Sequence, residues 1–120
     1  MNARERALAL ASAAANKNAK DVIVLDMQEL ATFTDFFVIA SGTSSRQART
    51  IADFAIERAR DFEERPQSVE GERVGRWILI DFGDVVVHVL QNEARSFYDL
   101  ERLWSEAKRV EIPRLEEAAL

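Results

Sequence analysis

The sequence predicts an α+β domain in which a mixed β-sheet is flanked by helices. The first observation is a set of runs rich in β-branched and aromatic residues, which are typical of buried strands: DVIVLDM (21–27), FFVIAS (36–41) and WILIDFGDVVVHVL (77–90). The second is a helical period between these runs, where apolar residues recur every three or four positions at Ala48, Ile51, Ala52, Ala55, Ala59 and Phe62. The third is a length of 120 residues without repeats or linkers, which suits one domain. We assign residues 1–110 to this domain and residues 111–120 to a C-terminal tail.

The positions of the helices are predicted from N-cap residues and from apolar residues at helical spacing. Residues 3–15 place alanines and leucines on one helical stripe, which predicts the first helix. Ser44 suits the N-cap of the second helix, and Gln47 would complete a capping box. A short extended stretch is expected over residues 67–70, after Pro66. Asp99 is predicted to cap a last helix that holds Leu100, Leu103, Trp104 and Ala107.

The predicted hairpin at 77–90 is apolar on both faces. With a turn at Phe82 and Gly83, Asp81 would pair with Asp84. One face then carries Ile78, Ile80, Val85, Val87 and Val89, and the other carries Trp77, Leu79, Val86, His88 and Leu90. An antiparallel pair of strands usually exposes one face to solvent. Two interpretations stay open: the second face is a protein interface, or further helices of the chain cover it in a three-layer domain.

Composition disfavours several classes of function. The formal net charge of −5 argues against broad phosphate binding, so we expect no direct DNA binding and a basic protein surface as partner. The sequence contains no cysteine, which excludes thiolate metal sites and is compatible with a cytoplasmic location. No apolar run approaches the roughly 18 residues of a membrane helix, so no membrane association is expected. The N-terminal segment is interpreted as the first helix of the domain and not as a targeting peptide.

Candidate catalytic residues are few, and we predict no enzyme, no cofactor and no metal site. His88 is the single histidine and lies in the middle of a predicted strand, which is typical of a packed residue. The DFG at 81–83 lacks every other kinase motif. Residues 42–46 open a helix and could hold a phosphate at its N-terminus. The alternative function is therefore a nucleotide-binding or nucleotidyl-transferring enzyme that uses residues 42–46 and Asp81.

Three segments resemble successive signatures of the ribosomal silencing factor (Iojap, RsfS-like) family: DFFVIASGTSSRQARTIAD, EGERVGRWILIDFGDVVVHVL and EARSFYDLERLW. With DVIVLDM they cover roughly residues 5–107 in the family's order. The resemblance implies a fold similar to nucleotidyltransferases but no catalysis. It implies a translational repressor that binds the large ribosomal subunit at its intersubunit face, through the fourteenth protein of that subunit's series. Bound there, the protein would block joining of the small subunit when nutrients are scarce.

The resemblance and the hairpin together predict the partner-binding residues. Their apolar centre would be Trp77, Leu79, Val86 and His88, and their polar, acidic rim would be Asp81, Asp84, Tyr98, Asp99 and Glu101. True nucleotidyltransferases instead carry a D-x-D or D-x-E pair that holds Mg²⁺. That motif is missing here, because the two hairpin carboxylates are three positions apart across a turn. If the second face is uncovered, the free protein should form a homodimer through it.

Overall fold

Six strands form one mixed sheet in the computed structural model, which describes residues 1–112. In chain order the elements are α1 (Ala3–Asn16), β1 (Lys20–Asp26), β2 (Phe36–Gly42), α2 (Ser45–Arg60), β3 (Ser68–Glu70), β4 (Trp77–Asp81), β5 (Val85–Gln91), α3 (Asn92–Tyr98), α4 (Leu100–Leu103) and β6 (Lys108–Val110). The strand order is β3-β4-β5-β2-β1-β6. β2 and β5 are parallel, and the other neighbours are antiparallel. The predicted α+β class with a mixed sheet is confirmed; the likeness to nucleotidyltransferases stays a prediction.

The two long helices begin at side-chain caps. The Asn2 side chain accepts the Glu5 N–H and the Glu5 carboxylate accepts the Asn2 N–H, which completes a capping box at α1. At α2 the Ser44 hydroxyl accepts the Gln47 N–H at 3.0 Å, as predicted. The Gln47 amide oxygen, however, accepts the N–H of Thr43, one residue before the cap. The reciprocal half of the predicted box is thus displaced by one residue. No helix within residues 1–112 is long and apolar enough to cross a membrane.

Helices cover both faces of the sheet, which explains why the hairpin is apolar on both sides. α1 and α2 pack on the first face, over a cluster that includes Val38, Ala40, Ile78, Ile80, Val87 and Val89. α3 and α4 lie on the second face, over a cluster that includes Phe37, Ile39, Val86, Leu90, Ala94 and Leu100. The two central strands are buried along almost their whole length. The three-layer interpretation is therefore right for much of the second face.

The predicted pairing of the hairpin is wrong by two residues. Asp81 pairs with Val86, and Trp77 pairs with Leu90. The turn lies one residue further along the chain than predicted, at Gly83 and Asp84, because the Phe82 N–H donates to the Val85 carbonyl. Side chains alternate with a period of two, so a shift of two leaves every residue on its predicted face.

The C-terminal helix was also predicted wrongly. A helix, α3, lies before Asp99, whereas α4 after it ends at Leu103. Asp99 has a left-handed backbone with φ of 48°, and its side chain makes no cap hydrogen bond. Lys108–Val110, expected at the end of that helix, pairs with β1 as the edge strand β6. Residues 113–120, most of the predicted tail, lie outside the described residues.

Candidate functional site

Seven rings form a continuous row across the second face of the sheet. The aromatic row consists of Phe33, Trp104, Phe37, His88, Trp77, Tyr98 and Phe97, and neighbouring ring centroids are 4.6 to 6.4 Å apart. The rings meet in tilted or edge-to-face arrangements, which aromatic pairs favour. The row crosses elements that are distant in sequence, because β2, β4 and β5 supply its middle and loops or short helices supply its ends.

The two ends of the aromatic row are exposed to solvent. Phe33 is 60% exposed at one end and Phe97 is 73% exposed at the other. Leu103 on α4, the helix beside the row, is 69% exposed. Arg76 lies over the rings of Phe97 and Tyr98. At the Phe97 end the neighbouring Tyr98 ring is also exposed, and adjacent exposed rings of this kind are typical of interaction surfaces.

A hydrogen bond joins the middle rings of the row. The Trp77 indole Nε1–H donates to His88 Nδ1 at 3.1 Å. Burial lowers the pKa of His88 from 6.5 to about 4, so the imidazole is neutral at neutral pH. Because Nδ1 accepts, Nε2 carries the proton, and this buried Nε2 has no hydrogen-bond partner among residues 1–112.

The four residues of the predicted apolar centre do lie together on the second face, at different depths. His88 is 4% exposed and Val86 is also buried, so neither forms the outer surface of the free protein. Trp77 and Leu79 are half-buried and pack against the second-face cluster. Tyr98, predicted for the rim, contacts Trp77 in a tilted arrangement with centroids 4.6 Å apart.

The carboxylates of the hairpin turn lie away from the aromatic row. Asp81 is four residues along β4 from Trp77, which is about 13 Å at the rise of a strand. Its carboxylate accepts the N–H of Gly83 at 2.7 Å and shapes the turn. Asp84 forms an ion pair with Arg6 of α1. These two residues therefore contact the turn and α1, and the structure does not group them with Tyr98.

Glu101 and Asp99 border a polar cleft instead of the aromatic row. Both carboxylate oxygens of Glu101 accept from Arg95, each at 3.2 Å, and Arg95 also donates to the Ser41 hydroxyl at 2.9 Å. The cleft has a volume of about 620 Å³ and is lined by residues of β1, β2, α3 and β6 together with Asp99 and Glu101. The Arg95 contacts hold α3 and α4 against the end of β2.

The elements of the alternative enzymatic site lie at opposite ends of the sheet. Phe37 of β2 is level with Val86, the partner of Asp81, whereas Gly42 is five residues further along β2, about 16 Å away. The start of α2 is also occupied by its own chain, since Gln47 donates to the Asn18 carbonyl at 3.2 Å. Among residues 1–112, no three His, Cys, Asp or Glu side chains are grouped so that they could hold a metal ion.

Four large apolar side chains in or beside the aromatic row were not predicted from the sequence. Phe33, Phe97, Leu103 and Trp104 were not among the predicted partner-binding residues, although three of them lie in EARSFYDLERLW. In that segment, aromatic residues lie among charged residues, and this pattern could have indicated exposed aromatic side chains. Phe33 lies in a loop and carried no such signal, because its neighbour Trp104 is distant in sequence.

Comparisons with known proteins give a consistent result. Residues 1–119 match the model of a family described as "Ribosomal silencing factor during starvation". A Bacillus subtilis relative named Ribosomal silencing factor RsfS is 36% identical over 112 residues, 93% of this chain and 95% of the relative. A Mus musculus relative named Mitochondrial assembly of ribosomal large subunit protein 1 is 32% identical over 99 residues, 80% of this chain and 43% of the relative. A crystal structure of a protein from Chromobacterium violaceum is 32% identical, with a TM-score of 0.85 over 88% of each chain.

Proposed function

The chain belongs to the ribosomal silencing factor family, and on that premise we propose that it binds the large ribosomal subunit and blocks joining of the small subunit. We assign the contact to the fourteenth protein of the large-subunit series, at the intersubunit face. The name of the mouse relative refers to the ribosomal large subunit, which supports the choice of that subunit. The protein would act in the cytoplasm, as a translational repressor without catalysis.

The observation that carries this proposal is the aromatic row with its exposed ends. Interfaces draw most of their affinity from a few large, well-packed side chains, and Trp and Tyr are prominent among them. Trp77 and Tyr98 contact each other in a tilted arrangement, with centroids 4.6 Å apart, between the buried rings and the exposed Phe97. A partner that covered this end of the row would bury apolar surface against rings whose positions are already fixed.

The size of the protein supports the proposed mechanism. The described residues measure 32 × 32 × 31 Å along their principal axes. Two ribosomal subunits join through direct contacts, so a rigid body of this thickness on one intersubunit face would keep the other subunit away. Steric occlusion needs no reactive group. The distance between residues 42–46 and Asp81, which the alternative enzymatic function would bring together, supports this choice.

We further propose that the free protein forms a homodimer through the same face. The exposed apolar side chains at the row and on α4 would be covered in a twofold pair that uses one patch twice. Dimerisation and docking would then compete. Sedimentation at increasing concentration tests this, and a strict monomer at high concentration would exclude the dimer.

The experiment combines co-sedimentation with large subunits and an assay of subunit joining. Wild-type protein should sediment with free large subunits, lower the yield of joined ribosomes and fail to bind ribosomes that are already joined. Phe97→Ser should weaken binding about tenfold or more without unfolding, because Phe97 is 73% exposed. The matched control is Phe54→Ser on α2, whose ring lies outside both core clusters and under Lys17. The proposal would be contradicted if the protein bound joined ribosomes as well as free large subunits. It would also be contradicted if Phe97→Ser and Phe54→Ser lost the same amount of binding affinity.

A further inference from the structure

The imidazole of His88 contains a buried donor that nothing in the described structure satisfies. His88 is 4% exposed, and its Nε2 has no partner among residues 1–112. A buried donor without an acceptor destabilises the folded state, because it loses its hydrogen bonds to water and gains none. Unsatisfied groups of this kind are uncommon in folded proteins, so this one requires an explanation.

Packing does not explain the histidine. The ring lies edge-on to Phe37 with centroids 4.6 Å apart, and its strand neighbours on this face are aliphatic. A phenyl ring has nearly the same shape, would make the same edge-to-face contact and has no donor to leave unpaired. The property that distinguishes the imidazole at this position is the acceptor at Nδ1.

That acceptor fixes the orientation of a half-exposed side chain. Trp77 is half-buried, and its indole Nε1–H donates to His88 Nδ1 at 3.1 Å. The Tyr98 ring contacts the same indole in a tilted arrangement, with centroids 4.6 Å apart. The hydrogen bond and the ring contact together restrict both dihedral angles of the tryptophan, so a partner would meet an anchor that has already lost its rotational freedom.

We infer that His88 is a positioning residue: its Nδ1 holds the Trp77 indole in the orientation that the docking partner requires. The unsatisfied Nε2–H is the consequence of this arrangement, because a neutral imidazole that accepts at Nδ1 must carry its proton at Nε2. The inference deepens the proposed function and depends on it for the identity of the partner. The contact between His88 and Trp77 is tested separately, on the free protein.

Two variants separate positioning from a structural role. His88→Phe removes the acceptor and keeps the ring, whereas His88→Asn places an amide oxygen close to the position of Nδ1. His88→Phe should melt at the same or a higher temperature than wild type, because the unsatisfied donor is gone. It should nevertheless bind large subunits about tenfold more weakly. In a Trp77→Ala background the same substitution should have no further effect on binding.

The indole signal of Trp77 provides the direct readout. In an NMR spectrum of free wild-type protein, with the second indole removed by Trp104→Phe, the Nε1–H should exchange slowly with water. The exchange should accelerate in His88→Phe and slow again, at least in part, in His88→Asn. Unchanged exchange in His88→Phe would overturn the inference even if large subunits bind normally. A lower melting temperature that accompanies the loss of binding would also overturn it, since it would indicate a purely structural role. If the indole responds as expected but wild-type protein does not bind large subunits, the proposed function fails and the positioning stands.

Discussion

Mild acid should destabilise this protein through one residue. Burial lowers the pKa of His88 from 6.5 to about 4, and the sequence contains no other histidine. Between these two values the unfolded chain binds a proton that the folded chain excludes. The free energy of unfolding therefore falls as the pH falls from 6.5 to 4, and is unaffected by His88 above 6.5.

The magnitude follows from the pKa shift. A difference of one pKa unit corresponds to about 1.4 kcal/mol, so lowering the pKa of His88 from 6.5 to about 4 corresponds to about 3 kcal/mol of lost stability. This is a large fraction of the roughly 5–15 kcal/mol that stabilises a typical domain. Most of the loss should occur between pH 6 and 4.5, which lies between the two pKa values of His88.

Urea unfolding at half-unit steps of pH, for wild type and His88→Phe, is the appropriate measurement. The ion pairs of the acidic residues are present in both proteins, so their contribution cancels when the two curves are subtracted. The difference should grow by about 3 kcal/mol from pH 7 to pH 4, in favour of the variant. Parallel curves would show that His88 titrates normally in the folded protein, and would refute the assignment of a buried neutral imidazole.

Four further predictions concern partner binding, the stability of the fold and the alternative enzymatic function. Trp77→Ala should remain folded and lose about 2 kcal/mol or more of binding to large subunits, measured by titration. Asp84→Ala should lower the free energy of unfolding by about 1–2 kcal/mol, because Arg6 is largely buried, whereas Asp61→Ala in an exposed pair should change it by less than about 0.5 kcal/mol. Gly71→Ala should cost more than about 1 kcal/mol, since φ is +80° and the added Cβ would meet the carbonyl oxygen of Trp77. Nucleoside triphosphates with Mg²⁺ should leave the Tm unchanged, although a ligand at 100 times its Kd would add about 2.7 kcal/mol.

Local sequence patterns correctly predicted two features: the buried stripe of α2 and the division of the hairpin side chains between two faces. The α2 stripe needed only the helical spacing of Ala48 to Ala59, and all five of its predicted buried positions between these residues are buried. The division of the hairpin into two faces survived an incorrect register, because strand side chains alternate and the register error was an even number. The period of two along a strand therefore predicts the face of the sheet on which a side chain lies, even where the predicted cross-strand partner is wrong.

Features that depend on distant parts of the chain could not be predicted in the same way. β6 is three residues long and exists through its pairing with β1, more than eighty positions earlier. The Asp84–Arg6 pair joins a carboxylate of the predicted rim to a residue 78 positions away. Similarly, Phe33 joins the aromatic row through Phe37 and Trp104. No local pattern in the sequence encodes these proximities.

The ion pairs of Asp84 and Glu101 have a consequence for how the protein would find and hold its partner. Asp84 and Glu101 are each paired with an arginine of their own chain, so neither presents a free charge beside Trp77. Attraction to a basic ribosomal protein would then come from the net charge of −5 of the whole chain, which acts at long range and affects the association rate. The lifetime of the complex would depend on the aromatic row, because interface changes act mainly on dissociation. Salt would therefore slow the approach, whereas substitutions in the row would shorten the time that the large subunit stays occupied.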